Sequence, residues 1–121
     1  MAEFGGGGGG GSPPDILWIF PNTLSTDQNN GLFTYHAPRA TSFVGFDITM
    51  NVAPTGLAII VDWAVNGVIN PALRVTLPIG DLYVKLVAAA SLAKDDTIQP
   101  IVVQVGTLQP GQTANIRALG S

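Results

Sequence analysis

Between residues 43 and 66 the chain alternates residue by residue, and that alternation restricts it to folds built from half-buried strands. Val44, Phe46, Ile48, Met50 and Val52 share one face of the first stretch, with Gly45, Asp47, Thr49 and Asn51 on the other. A period of two is what an extended chain needs to put its apolar side chains on one side of a sheet. After the turn signal Ala53-Pro54-Thr55-Gly56 the pattern resumes. Leu57, Ile59, Val61, Trp63 and Val65 oppose Ala58, Ile60, Asp62, Ala64 and Asn66. Asn66-Gly67, a pair suited to the positive φ of a tight hairpin, then closes the run.

Shorter segments on either side follow the same logic. Residues 16–20, ILWIF, make an apolar, aromatic strand that Pro21-Asn22 is expected to break, and residues 25–30 read as a loop. Residues 32–36 form a second short strand, ended by Pro38. Val75, Leu77 and Ile79 alternate with Arg74, Thr76 and Pro78, the proline marking an edge or a strand end. Leu82, Val84, Leu86 and Ala88 oppose Tyr83, Lys85 and Val87, and the alanine-rich continuation at 88–94 is the stretch expected to turn helical. Asp95-Asp96 turns the chain into a strand at 98–105 that carries Pro100. A loop with Pro110-Gly111 precedes a last strand at 114–119. Eight strands with closely spaced turn signals predict an all-β, antiparallel β-sandwich, and eight strands in two sheets is the count of a jelly roll.

Ahead of this domain Phe4 is followed by seven glycines, Gly5, Gly6, Gly7, Gly8, Gly9, Gly10 and Gly11. A run without side chains cannot build a core, and fixing it costs roughly 1–2 kcal/mol per residue, about 7–14 kcal/mol in all. The expected division is an extended glycine-rich N-terminal arm at 1–14 and a β-sandwich domain at 15–121. Phe4 and the glycines are the candidate partner-binding residues, because a bare backbone can run close to another chain. The opening MAEFGGGGGGGS also matches a cloning remnant joined to a synthetic linker, a reading that leaves the domain unchanged. A phosphate-cradling loop would need a strand before it and a helix with Lys-Ser/Thr after it, whereas Ser12-Pro13-Pro14 follows here.

Composition narrows the function. Only 11% of residues are charged and 46% are hydrophobic, so much of the surface must be uncharged polar groups or apolar groups covered by another chain. The five basic residues are scattered and the net charge is −3, which removes the electrostatic footprint of a nucleic-acid binder. No apolar run reaches the ~18 residues of a membrane helix. Glycine stands where a secretory leader would be, so assembly in a cytoplasm is expected. Cysteine is absent, which excludes disulfides and Cys-based metal sites.

Candidate chemistry is sparse. His36 is the single histidine, and no serine lies in a nucleophile elbow. Asp47 and Asp62, on the less apolar faces of two strands, raise glycoside hydrolysis by a carboxylate pair; the alternative is that both are solvated or bonded to turns. Asp81, Asp95 and Asp96 flank turns, where Asp bonds its own backbone. Neither a cofactor nor a metal is expected. Trp18, Phe20, Phe33 and Tyr35 cluster near the start of the domain as core or subunit-interface residues, or else as a stacking surface for sugars.

LAIIVDWAVNG at 57–67 and VVQVGTLQPG at 102–111, together with Asp95-Asp96, resemble a small β-sandwich module of tailed-bacteriophage virion proteins. The resemblance spans most of 40–119 and rests on turn chemistry: Asp62, Asn66-Gly67 and Gln104-Val105-Gly106 carry it. It implies a non-enzymatic capsid decoration or cement protein, or else a tail-fibre or appendage domain that binds a host receptor or carbohydrate. The partners implied are the major capsid protein or other virion subunits and further copies of the chain, a trimer foremost, without nucleic acid or membrane. The location implied is the virion, assembled in the host cytoplasm. On this reading the arm runs to a neighbouring subunit, and deleting residues 1–12 weakens particle binding while leaving the domain folded.

Overall fold

The computed structural model describes residues 15–26 and 34–120, and the backbone of residues 2–4. Among these residues ten strands form: β1 (Ala2–Phe4), β2 (Ile16–Thr23), β3 (Tyr35–His36), β4 (Thr41–Val52), β5 (Ile59–Val65), β6 (Val68–Ile69), β7 (Val75–Leu77), β8 (Tyr83–Leu92), β9 (Thr97–Gln104) and β10 (Gln112–Gly120). A single 3-10 turn, Pro71–Leu73, is capped by the Asn70 side chain, which accepts from the Ala72 amide.

Strand pairing is nested. β2 pairs β10, β3 pairs β9, β4 pairs β8 and β5 pairs β7, all antiparallel, so the chain is one long hairpin folded at the β5–β7 connection. Two further pairings, β10 with β4 and β9 with β5, roll that hairpin into two sheets. The first sheet runs β1-β2-β10-β4-β8; the second runs β3-β9-β5, with β6 and β7 both on the far edge of β5. This is the eight-strand jelly roll, with β1 and β6 as additions. The body closes on itself where the Gly120 amide donates to Asp15 Oδ1 at 2.8 Å.

Both sheets turn their apolar faces inward. Trp18 and Phe46 from the first sheet meet Trp63 from the second, with Trp18 edge-on to Trp63 at 5.2 Å between ring centres and Phe46 tilted against it at 4.7 Å. Such offset and edge-on contacts exploit the ring quadrupole. The Trp63 indole nitrogen is buried without an oxygen or nitrogen acceptor. Ile16, Ile48, Ile59, Val61, Leu77, Ile98, Val102 and Ile116 complete the interior.

Four expectations are corrected. Residues 88–92 continue β8 instead of turning helical, because Ala90, Ser91 and Leu92 find partners in Phe43, Ser42 and Thr41 of β4; sheet pairing outweighs the ~0.5 kcal/mol scale of alanine's helix preference. Pro21-Asn22 does not end β2. The ladder skips from Phe20↔Ala114 to Thr23↔Gln112, so the pair forms a bulge, with Asn22 at φ 66 opposite Thr113 at φ 54. Val44 faces solvent, since a register shift at 43–45 turns Phe43 into the core in its place. Finally, β1 pairs with β2, so residues 2–4 of the expected arm add a strand to the domain's own sheet. The partner-binding expectation for Gly5–Gly11 lies outside the described residues.

Candidate interaction surface

Alternation along β4 and β5 sends Asp47 and Asp62 to the outer faces of opposite sheets, since Phe46 and Ile48, and likewise Val61 and Trp63, point inward. Both carboxylates are nonetheless buried. Asp47 takes Arg117 Nε at 3.0 Å and Nη2 at 2.5 Å, directly across the β4–β10 ladder, and accepts from the Tyr83 hydroxyl at 3.1 Å. Asp62 holds Arg74 in the same two-pronged way, at 2.7 and 2.9 Å. A bidentate guanidinium engages both oxygens of a carboxylate and roofs it from water. The hydrogen bond and then the charge of Asp62 push the Arg74 pKa up, and the hydrogen bond to Asp47 does the same for Arg117. Partial desolvation raises the Tyr83 phenol, followed by its bond to Asp47.

These positions correct the picture of solvated sheet-face aspartates and of a carboxylate pair across a sugar. The two lie on opposite sides of a sandwich whose sheets stack ~10 Å apart, and each is neutralised by its own arginine. Asp96 is a turn residue: it accepts from Asn66 Nδ2 at 3.1 Å and the Ala93 amide at 2.8 Å, while Asp95 takes φ 71. His36 is exposed on β3. Among the described residues no group of three or more His, Asp or Glu is placed to hold a metal ion.

Trp18, Phe20 and Tyr35 face the core, one of the roles expected for them. Phe33 lies outside the described residues, as do the side chain of Phe4 and all of Gly5, Gly6, Gly7, Gly8, Gly9, Gly10 and Gly11.

The surface that sequence reasoning undervalued is at one end of the sandwich. Residues 53–58, 78–82 and 105–111 connect β4 to β5, β7 to β8 and β9 to β10. The registers Ile59↔Leu77, Thr49↔Tyr83, Ile60↔Gln104 and Val52↔Gln112 put all three at the same end. They are cross-tied. Thr55 and Gln109 form a bridge in which the Thr55 amide donates to the Gln109 carbonyl at 2.9 Å, and the Leu108 amide returns to the Thr55 carbonyl at 3.1 Å. The Gly80 amide reaches the Pro54 carbonyl at 2.9 Å, and Gln104 Nε2 the Ala58 carbonyl at 2.9 Å.

Two glycines permit this approach. A Cβ on Gly106 would fall on the Gln109 carbonyl and 2.7 Å from the Thr55 carbonyl; Gly56, at φ +87, would meet the Thr107 hydroxyl. Out of this fixed frame stand Leu57, Ile79, Leu82 and Leu108, the last 84% exposed. Asp81 is the one charged residue in the three loops. The opposite end, at 37–40, 66–74 and 93–96, carries Arg39, Arg74, Lys94, Asp95 and Asp96.

Neither a family model nor a curated protein matches the chain. Among solved structures, the Podospora anserina GH26-CBM35 β-(1,4)-mannanase is similar, with a TM-score of 0.44 and 12% identity over 89% of this chain. The chain spans 19% of that enzyme's length. The jelly-roll assignment rests on the chain's own nested strand pairings.

Proposed function

We propose that this chain is a non-enzymatic structural protein of a virion, acting as a capsid decoration or cement protein that stabilises a phage head. The observation that carries the reading is a surface with ten exposed large hydrophobic side chains among the described residues, on a chain with only 11% charged residues. A body with so little charge and so much exposed apolar surface is suited to being covered by other subunits. Two features add support: the resemblance at 57–67 and 102–111 to phage virion modules, and the arginine clamps on Asp47 and Asp62, which engage both oxygens of each carboxylate in charge pairing.

The test is genetic and physical. Particles from a strain deleted for the gene should lack the protein and rupture at lower temperature than the parent, and added purified protein should restore both. A protein absent from purified parental particles sinks the reading. A protein that is present but located on a fibre, with a glycan retained on an array, moves the assignment to a receptor-binding appendage.

A further inference from the structure

We infer that the cross-tied loop end is the docking face, and that its occupant is a different protein: an apolar, uncharged patch of the shell bordered by a Lys or Arg. The inference rests on the structural reading above and adds which face of the body is used and what chemistry meets it.

Three observations lead there. First, Leu57, Ile79, Leu82 and Leu108 are borne by loops held to one another by backbone hydrogen bonds, so docking freezes little beyond side-chain rotamers. Preorganisation of that kind lets apolar burial count toward affinity. Second, the exposed side chains are aliphatic. A sugar site needs aromatic faces for stacking; residues 53–58, 78–82 and 105–111 include no aromatic, and the Gln109 and Thr55 backbone groups are spent on the bridge.

Third, the charge pattern decides between a second copy and another protein. Asp81 is exposed and the three loops contain no cation. Two or more copies meeting end to end would bring Asp81 carboxylates together without compensation, whereas a partner with a basic rim would pair with them. The body's free cations near an end, Arg39 and Lys94, sit on the opposite one and point the charged end away from the shell.

The experiment uses gene-deleted particles and full-length protein, with co-sedimentation as the readout. Leu108→Asp and Ile79→Asp should each weaken binding at least tenfold. Asp81→Lys should weaken it several-fold and reverse the sign of its salt dependence. Val87→Asp, an equally exposed change on the outer face of the first sheet, should bind as the parent does. Thermal melts of the four variants confirm that each is folded; all four positions are solvent-facing.

If Leu108→Asp and Ile79→Asp bind normally while the parent sediments, the docking face is wrong and the structural reading stands. If Val87→Asp alone fails, the sheet face docks and the inference is overturned. Should the loop variants dissociate an oligomer of the free protein, the occupant is a second copy and the stated partner is wrong. If the parent itself does not sediment with particles, the virion reading falls and takes this inference with it.

Discussion

At the scale of single residues, the outer face of the first sheet is organised by one buried carboxylate. Asp47 is fully buried, and its oxygens meet Arg117 and Tyr83. Removing one partner of a buried pair leaves a desolvated charge and costs more than the pair contributes. Arg117→Met should lower stability by about 2 kcal/mol, at the low end because the guanidinium is partly exposed and Lys85, opposite Asp47 in the β4–β8 ladder, can move in. Adding Lys85→Ala should deepen the loss, read as a lower denaturant midpoint. Tyr83 carries a pH prediction. Its phenol is raised above the usual 10.0 by partial desolvation and the bond to Asp47, so the folded state holds that proton more tightly than the unfolded one. The contribution is complete below pH ~10 and is lost as pH rises through the folded value. Stability should fall across that alkaline window in the parent and fall less in Tyr83→Phe, measured by denaturation at closely spaced pH.

At the scale of elements, the loop clamp and the edge strand show what local pattern can and cannot encode. Gly106→Ala would drive a methyl into the Gln109 and Thr55 carbonyls of the bridge, and should destabilise by about 2–4 kcal/mol. Gly67→Ala, with positive φ but open space, should cost only about 1 kcal/mol; thermal melts compare the two. All eight jelly-roll strands were legible from alternation and turn residues, because period two and Gly/Pro punctuation are local properties. Three details were not. The alanine run of β8 is held extended by β4, a partner about 45 residues away in sequence, and no local preference reports that. The bulges at Pro21-Asn22 and near Val44 arise from how two ladders share one strand. The candidate surface escaped for a related reason: Leu57, Ile79, Leu82 and Leu108 belong to three separate loops, and only the registers of their flanking strands bring them to one end. Asp47 and Asp62 were visible as aspartates on strands, but their arginines lie 70 and 12 residues away.

At the scale of the whole molecule, nesting makes the two ends of the sequence unequal. β10 lies between β2 and β4 and supplies the two central ladders of the first sheet, whereas β1 only borders β2. Truncation after Gly111 should therefore leave an unfolded chain by NMR, while removal of residues 1–12 should lower the unfolding free energy, measured by denaturant titration, by no more than about 1 kcal/mol. Folding should be slow for the size, in the millisecond-to-second range by stopped flow, because the outermost pair β2–β10 must close almost the full length of the domain. The same closure has a modular consequence. The eight-strand jelly roll begins just after Asp15 and ends at Gly120, and the Gly120 amide donates to the Asp15 carboxylate at 2.8 Å. A body with adjacent ends can be spliced into a surface loop of an unrelated host protein without prying that loop apart, or be cyclised and reopened elsewhere. Joining residues 15 and 120 and opening the circle at the exposed Asn66-Gly67 turn should yield a permuted jelly roll with β2 to β10 in their places.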